Sequence, residues 1–343
     1  MKNFPKISIV TPSFNQDEFL EECIDSVLSQ NYPNLEYVVM DGGSSDNSVA
    51  IIRKYEKYLT YWQSKPDGGQ YHAINDGFRR TTGEIMAWLN SDDKYHHNAF
   101  FKIAWLFSHC QEIEWLTGRH SLWDKNGELI DVYTGDIPLF DRASHLNGQY
   151  IEICIQQEST FWRRSLWERA GGYLCADIDY AGDLELWTRF YRFAPLHMTE
   201  HLLGGYRKHG NQKTVLNPEH YFNEAKKVIA AEKKMLANNE FVELFPTPSP
   251  VKVSYGEFAA YLKDACADDT GRHYQSSDNS DQVIDGLVQQ LVKTRHILGY
   301  SRPRRFIMAV FRLALSICSP KMRNKLLRFR SRCAEIKKID TSY

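Results

Sequence analysis

The sequence predicts an α/β fold with a mainly parallel sheet flanked by helices and a helical C-terminal extension. Three observations point there. Short β-branched, apolar runs alternate with helical stretches through the first hundred residues. Polar or glycine-rich turns follow directly after these runs. The 343 residues are 43% apolar and 25% charged, a packed-protein balance with room for one large domain and an appendage.

The elements follow in order. Lys6–Thr11 (KISIVT) reads as a buried strand. Glu18–Gln30 places Phe19, Leu20, Cys23, Ile24, Val27 and Leu28 on one helical face. Leu35–Met40 is a second strand, ending in the turn cluster Asp41-Gly42-Gly43-Ser44-Ser45-Asp46. Asn47–Tyr55 reads as helix and Leu59–Gln63 as a third strand, followed by Pro66-Asp67-Gly68-Gly69. Tyr71–Arg80 is helical, and Ile85–Leu89 is a fourth buried strand. In parallel sheets built of such units, ligands sit beyond the carboxyl ends of the strands. From Trp115 to Gly205 the pattern mixes strand-like pieces (Trp115–Thr117, Ile151–Ile155) with helical ones (Arg164–Ala170, Asp183–Phe193). Tyr221–Asn238 is helical, Leu244–Pro250 is a Pro-rich boundary, and Asp268–Asp281 is a polar loop. The division is a catalytic domain over 1–215 and a helical region with a basic tail over 216–343.

Composition narrows the classes. Seven widely spaced Cys with no C-x-x-C disfavour a disulfide framework or zinc site and fit a reducing cytoplasm. The start, MKNFPKISIVTPSFN, has no apolar run suited to a signal peptide. No stretch approaches the roughly 20 apolar residues of a membrane helix. Net charge is −1, but Lys293–Tyr343 carries 14 Lys or Arg against two Asp or Glu, so the rest is acidic. Arg302–Arg332 interleaves these cations with Phe306, Ile307, Met308, Val310 and Phe311, an amphipathic pattern suited to an anionic membrane surface. A helix packed on the catalytic domain fits the same pattern. No nucleic-acid recognition module is present.

Four polar segments carry the chemistry. Asn90-Ser91-Asp92-Asp93 ends an apolar strand, and adjacent carboxylates there suit a hard divalent cation bridging substrate phosphates. A turn and helix cap fits equally. Asp41-Gly42-Gly43 lets backbone approach a ligand or simply turns. Asp183 opens a helix, as general base or cap. Tyr206–Thr214 is a basic loop whose Arg207 and His209 suit a diphosphate and a metal, or a solvated surface. No G-x-G-x-x-G or P-loop spacing occurs.

Together these segments resemble glycosyltransferase family 2, closest to its bacterial surface-polysaccharide branch. The resemblance rests on SIVTPSFN (8–15), DGGSSD (41–46), KPDGGQYHAIN (65–75), GEIMAWLNSDD (83–93), QESTFWR (157–163), GGY (171–173) and AGDLELW (181–187). It implies the GT-A fold of nucleotide-diphospho-sugar transferases, which is Rossmann-like. By resemblance, Thr11, Pro12, Asn15, Asp41, Lys65, Asp67, Asn75, Asp92 and Arg207 bind the nucleotide-sugar. Asp93 and His209 hold Mn²⁺ or Mg²⁺. Asp183 is the catalytic base, and Gln157, Glu158 and Trp162 lie toward the acceptor. Two departures stand out: Asn90 replaces a frequent Asp, and so does Gly42. The implied activity is inverting transfer of a sugar to a hydroxyl of a lipid-linked or oligosaccharide acceptor. The product would be an O-antigen, capsule or exopolysaccharide made in the cytoplasm, peripherally on the inner membrane face. A sugar nucleotidyltransferase or a non-catalytic nucleotide- or sugar-binding module are the alternatives.

Overall fold

Strand β1 (Ile7–Ser13) lies at the heart of the sheet, buried along its whole length. It pairs in parallel with β2 (Leu35–Asp41) on one side and β4 (Ile85–Trp88) on the other, and β2 pairs in parallel with β3 (Tyr61–Ser64). Burial on both faces encloses Ser8, Thr11 and Ser13 together with Ile7, Ile9 and Val10. A computed structural model describes residues 4–133, 140–148, 154–238, 245–251 and 261.

The helices joining these strands bury one face each. Helix α1 (Asp17–Leu28) buries the six residues that its periodicity singles out. Helices α2 (Ser48–Tyr55) and α3 (Gln70–Phe78) follow β2 and β3. A single 3₁₀ turn, Glu56–Tyr58, delays the third strand two residues past its expected start.

Beyond β4 the sheet changes character. It runs β10-β6-β9-β4-β1-β2-β3, with β6 Trp115–Thr117, β9 Thr160–Arg163 and β10 His197–Met198. Strand β9 is antiparallel to both neighbours, β4 and β6. A second sheet, in the order β5 (Lys94–Tyr95), β11 (Gly204–Lys208), β7 (Ser121–Asp124) and β8 (Leu129–Val132), lies beside the mouth. Gly204 makes this junction possible, since a Cβ there would sit 2.1 Å from the Glu158 carbonyl.

Helix α4 (Ala99–His109) is buried along most of its length, and α5 (Arg142–Leu146), α6 (Arg164–Arg169) and α7 (Gly182–Phe190) complete the body. Trp162 belongs to this core rather than to an acceptor subsite. It is fully buried, with its ring 5.5 Å from Trp88 and 5.7 Å from Trp187. Its place on β9 points it between the sheet and α7, where an apolar ring is worth most.

After the short α8 (Lys213–Leu216) comes α9 (Pro218–Ala237). Helix α9 packs Ala225 and Ile229 against Ala181 and Leu184 of the body. Its Glu232 is buried between Arg142 and Arg192. The Pro-rich segment then returns to the sheet, where the Val251 amide donates to the Met198 carbonyl at 2.7 Å. The expected Asp268–Asp281 loop and Arg302–Arg332 tail lie outside the described residues, as do 151–153 of the strand expected at Ile151–Ile155. Among the described residues, no helix is long and apolar enough to cross a membrane.

The rim opposite the mouth is clamped by Glu36. Its carboxylate accepts from the Thr82 and Gly83 amides (2.7 and 2.9 Å) and from the Ser8 hydroxyl (2.8 Å). Burial alone would raise this carboxyl, but these donors and Lys6 outweigh it and hold it at about 2. A depressed folded value stabilises above the unfolded value and is lost as pH falls through the folded one. Glu36→Gln is therefore expected to cost on the order of 2 kcal/mol at neutral pH after allowance for solvent screening. Urea melts should show that difference shrinking as pH drops from about 4.5 toward 2.

Candidate active site

The mouth opens where β1, β2, β3 and β4 end. On the β1 side, Phe14 is 60% exposed and the next residue, Asn15, turns the chain with φ 51°. Asn15 is tied to the second turn, its Oδ1 accepting from the Ser45 amide at 2.9 Å and its amide donating to Ser44 Oγ at 2.8 Å. Thr11 and Pro12 are buried within β1, and Thr11 Oγ1 shares a hydrogen bond with the Tyr37 hydroxyl. These two form the floor rather than the wall.

Asp41 ends β2. Its Oδ2 accepts from the Gly43 and Ser44 amides and the Ser64 hydroxyl, while Oδ1 accepts from the Ser44 hydroxyl. A carboxylate has about four acceptor directions, and these four donors fill them, so Asp41 is a buried brace that fixes the turn at the end of β2. Lys65 and Asp67 are exposed on the next turn, where Asp67 Oδ1 accepts from the Gly69 amide at 2.8 Å. Gly42 now has a physical reason. A Cβ there would meet Asp67 and Phe14 at 3.3 Å, and an Asp would set a second carboxylate against the first.

Asn75 does not reach the mouth. Its amide is consumed by the Leu174 backbone, donating to the carbonyl and accepting from the N–H, both at 2.8 Å. It pins the 171–180 segment on α3.

The acidic cluster sits at the end of β4. Asp93 is 1% exposed, and its Oδ1 accepts from the Arg207 amide at 2.8 Å. Asp92 keeps the more open position, with His209 Nε2 3.1 Å from its Oδ2. Asp93 turns one oxygen to the Arg207 amide, while Asp92 is the carboxylate facing His209. The His209 ring lies against Phe19 at 4.5 Å, and the Asn211 amide donates to Nδ1, which sets the ring proton on Nε2. A divalent cation could take that proton's place between Nε2 and Asp92. Among the described residues no group of three or more metal-ligating side chains gathers, so water and substrate phosphates would fill the other positions.

Glu158 lies buried beside Asp93. Burial pushes it up to about 7, and the charges of Asp183 and Asp92 push the same way. Burial also drives Asp93 well above the usual range, with Glu158 and Asp92 adding to it. Two buried carboxyls so placed hold a proton between them. Asn90 explains its departure here: its amide donates toward Asp93 and Gln157, both at 3.3 Å, where an Asp would add another negative charge. Gln157 is buried and donates to the Trp88 carbonyl at 2.8 Å, so it supports Asn90 from below.

Asp183 begins α7 on the far side of the mouth. Its Oδ1 accepts from the Leu184 amide at 2.7 Å, and burial pushes the carboxyl up to about 6. The Tyr71 hydroxyl holds the turn before it, accepting from the Gly182 amide and donating to the Tyr180 carbonyl. Glu224 of α9 accepts from the amides of Asp179, Tyr180 and Ala181. Glu185 is not a second base, being paired with Arg189 at 2.7 Å.

Arg207 is turned away from the mouth and engaged by protein groups. Its side chain is 1% exposed, and its guanidinium donates to Glu22 and to the carbonyls of Asp92 and Lys125. Stacked over Phe19 at 5.1 Å, it props up the Asp92 loop from beneath. Phe14 and Glu22 are the residues that sequence reasoning passed over. Phe14 had a signal, an aromatic placed directly after a strand end. Glu22 had none, because its partners are distant in sequence.

The family model described as Glycosyl transferase family 2 matches residues 8–126. An uncharacterized glycosyltransferase of Mycobacterium tuberculosis is 32% identical over 198 residues, covering 55% of this chain and 70% of that protein. An uncharacterized glycosyltransferase of Haemophilus influenzae is 26% identical over 253 residues, covering 68% and 74%. Among solved structures, S. aureus TarS 1–349 in complex with UDP-GlcNAc superposes with a TM-score of 0.52 at 16% identity, covering 96% of this chain and 88% of that one. That likeness supports the GT-A arrangement of a mainly parallel sheet flanked by helices.

Proposed function

The chain belongs to glycosyltransferase family 2, and from that premise we propose that it moves a sugar from a nucleoside-diphosphate-sugar to an acceptor hydroxyl with inversion at the anomeric carbon. The observation that carries this reading is the meeting of Asp92, Glu158 and Asp183 in one electrostatic neighbourhood at the strand ends.

The parts divide as follows. The exposed face of Phe14 offers a stacking surface for the base, and Asp41 holds the turn beside it in place. Asp67 and Lys65 flank the ribose side. Asp92 and His209 would hold a Mn²⁺ or Mg²⁺ ion, which neutralises charge on the diphosphate leaving group when bound. Asp183 takes the acceptor proton as the hydroxyl oxygen bonds to the anomeric carbon. The carbon–oxygen bond to the diphosphate breaks on the opposite face, and the pair of electrons leaves with the nucleoside diphosphate. One displacement inverts the centre. Asp93 and Glu158, sharing a proton, support Asp92 without adding two full charges.

TarS binds UDP-GlcNAc, so a UDP-sugar is the first donor to try. We place the reaction in the cytoplasm, on a lipid-linked or oligosaccharide acceptor of a bacterial surface polysaccharide. A thermal-shift screen of UDP-, GDP- and dTDP-sugars with and without Mn²⁺ tests the donor side. One sugar nucleotide should raise the melting temperature more with the metal than without, and Asp92→Asn should erase the metal-dependent part. A donor shift indifferent to both metal and Asp92 would remove the cation from the scheme.

A further inference from the structure

We infer that α8 and the outer face of α9 form a docking surface for an anionic lipid bilayer, set at the lip of the active-site mouth. Three apolar side chains open the surface. Val215 and Leu216 in α8 are 50% and 62% exposed, and Phe222 in the second turn of α9 is 36% exposed. Behind them α9 turns a basic face outward. Lys226, Ala230, Lys233 and Ala237 recur at the three- and four-residue spacing of one stripe, with Lys227 and Lys234 beside it, and all are exposed. Glu219 is the acidic residue of this stripe, at its first turn. Among the described residues none of the four lysines has an ion-pair partner. The opposite face is fully engaged, through Ala225, Ile229 and Glu232.

This pattern fits an interfacial helix better than a merely solvated one. Apolar side chains at one end, followed by unpaired cations, suit insertion between lipids with the ammonium groups at the headgroups. A soluble polyanion would explain the lysines but would leave Val215 and Leu216 without purpose. The remainder of the chain continues the same sign, with 14 Lys or Arg against two acidic residues from Lys293 onward.

The surface is built into the site. Lys213 of α8 donates to the Asp179 carbonyl and lies over the Tyr180 ring at 4.6 Å. Glu224, on the inner side of α9, caps the turn leading to Asp183. His209 stands four residues ahead of Lys213. A bilayer seated on α8 and α9 therefore borders the mouth between Asp183 and His209. That deepens the proposed transfer by favouring a lipid-linked acceptor, while the binding itself is measurable without any sugar chemistry.

Flotation of the full chain with phosphatidylcholine vesicles, with and without phosphatidylglycerol, tests it. The wild type should float with the anionic vesicles and stay behind with the neutral ones. The combined variant Lys226→Glu/Lys227→Glu/Lys233→Glu/Lys234→Glu should lose at least about tenfold in partitioning. Val215→Asp/Leu216→Asp should lose flotation as well, and Leu216→Asp alone should weaken it. Donor hydrolysis in these variants should match wild type, which separates failed docking from a failed catalytic reading. Wild-type flotation in both combined variants would overturn the proposal. So would loss confined to the lysine variant together with release of wild type by soluble polyphosphate, which would mark a polyanion site instead.

Discussion

Asp183→Asn is expected to lower sugar transfer by about 10²- to 10⁴-fold while leaving donor affinity nearly unchanged. The side chain keeps its shape and its acceptor for the Leu184 amide but can no longer take a proton. Burial sets its ordinary 3.8 to about 6, so the wild-type rate should fall as pH drops through about 6 and level off above it. The variant should lose that limb. Stability runs the other way. A carboxyl with a raised folded value stabilises most when protonated, and that contribution disappears as pH rises through the folded value. At pH 8 the ionised Asp183 is a cost, so Asp183→Asn should be more stable than wild type by on the order of 2 kcal/mol. A residue that slows folding or merely caps α7 would not combine faster loss of chemistry with a gain in stability. Wild-type turnover in the variant would sink the assignment.

Arg207→Met should be among the more damaging substitutions for stability, costing about 2–3 kcal/mol, because Glu22 keeps Lys94 and partial solvent while two carbonyls lose their donor. Its guanidinium is buried against Glu22, whose second cation, Lys94, is held at 2.7 Å and is itself 4% exposed. Burial would raise the Glu22 carboxyl, yet Lys94 and Arg207 together keep it low. Removing Arg207 leaves Glu22 half-compensated and the Asp92 and Lys125 carbonyls without their donor. Urea unfolding in the absence of donor measures the loss directly. If the variant melted like wild type and only its donor KM rose, Arg207 would be a diphosphate ligand after all.

These two residues also mark how far the sequence could be read. The place of Asp183 at the first turn of an amphipathic helix was legible because the signal is local. Strands β1, β2 and β4 were legible for the same reason, as each is a short buried run closed by a polar turn. Arg207 was not. In YRKHGNQK it looks like part of a solvated basic loop, and only a partner 185 residues away turns it inward. The Asp92–Asp93 pair shows a finer limit. Two adjacent carboxylates are equivalent in sequence, and the one that turns inward is chosen by the Arg207 amide on β11. Trp162 failed similarly. TFWR gives no sign that its strand pairs antiparallel with β4, some 75 positions earlier, so the ring's burial was invisible. Local periodicity fixes elements, whereas long-range pairing decides which of their side chains face a ligand.

The account stands on a single displacement assisted by Asp183 across from a diphosphate held at Asp92. Donor hydrolysis followed by proton NMR tests this without knowledge of the acceptor, because water can stand in for the hydroxyl. With an α-linked sugar nucleotide and Mn²⁺, the first-formed free sugar should be the β anomer, before mutarotation mixes the two. An α anomer appearing first would mean retention, and the single-displacement scheme with Asp183 as its base would be contradicted.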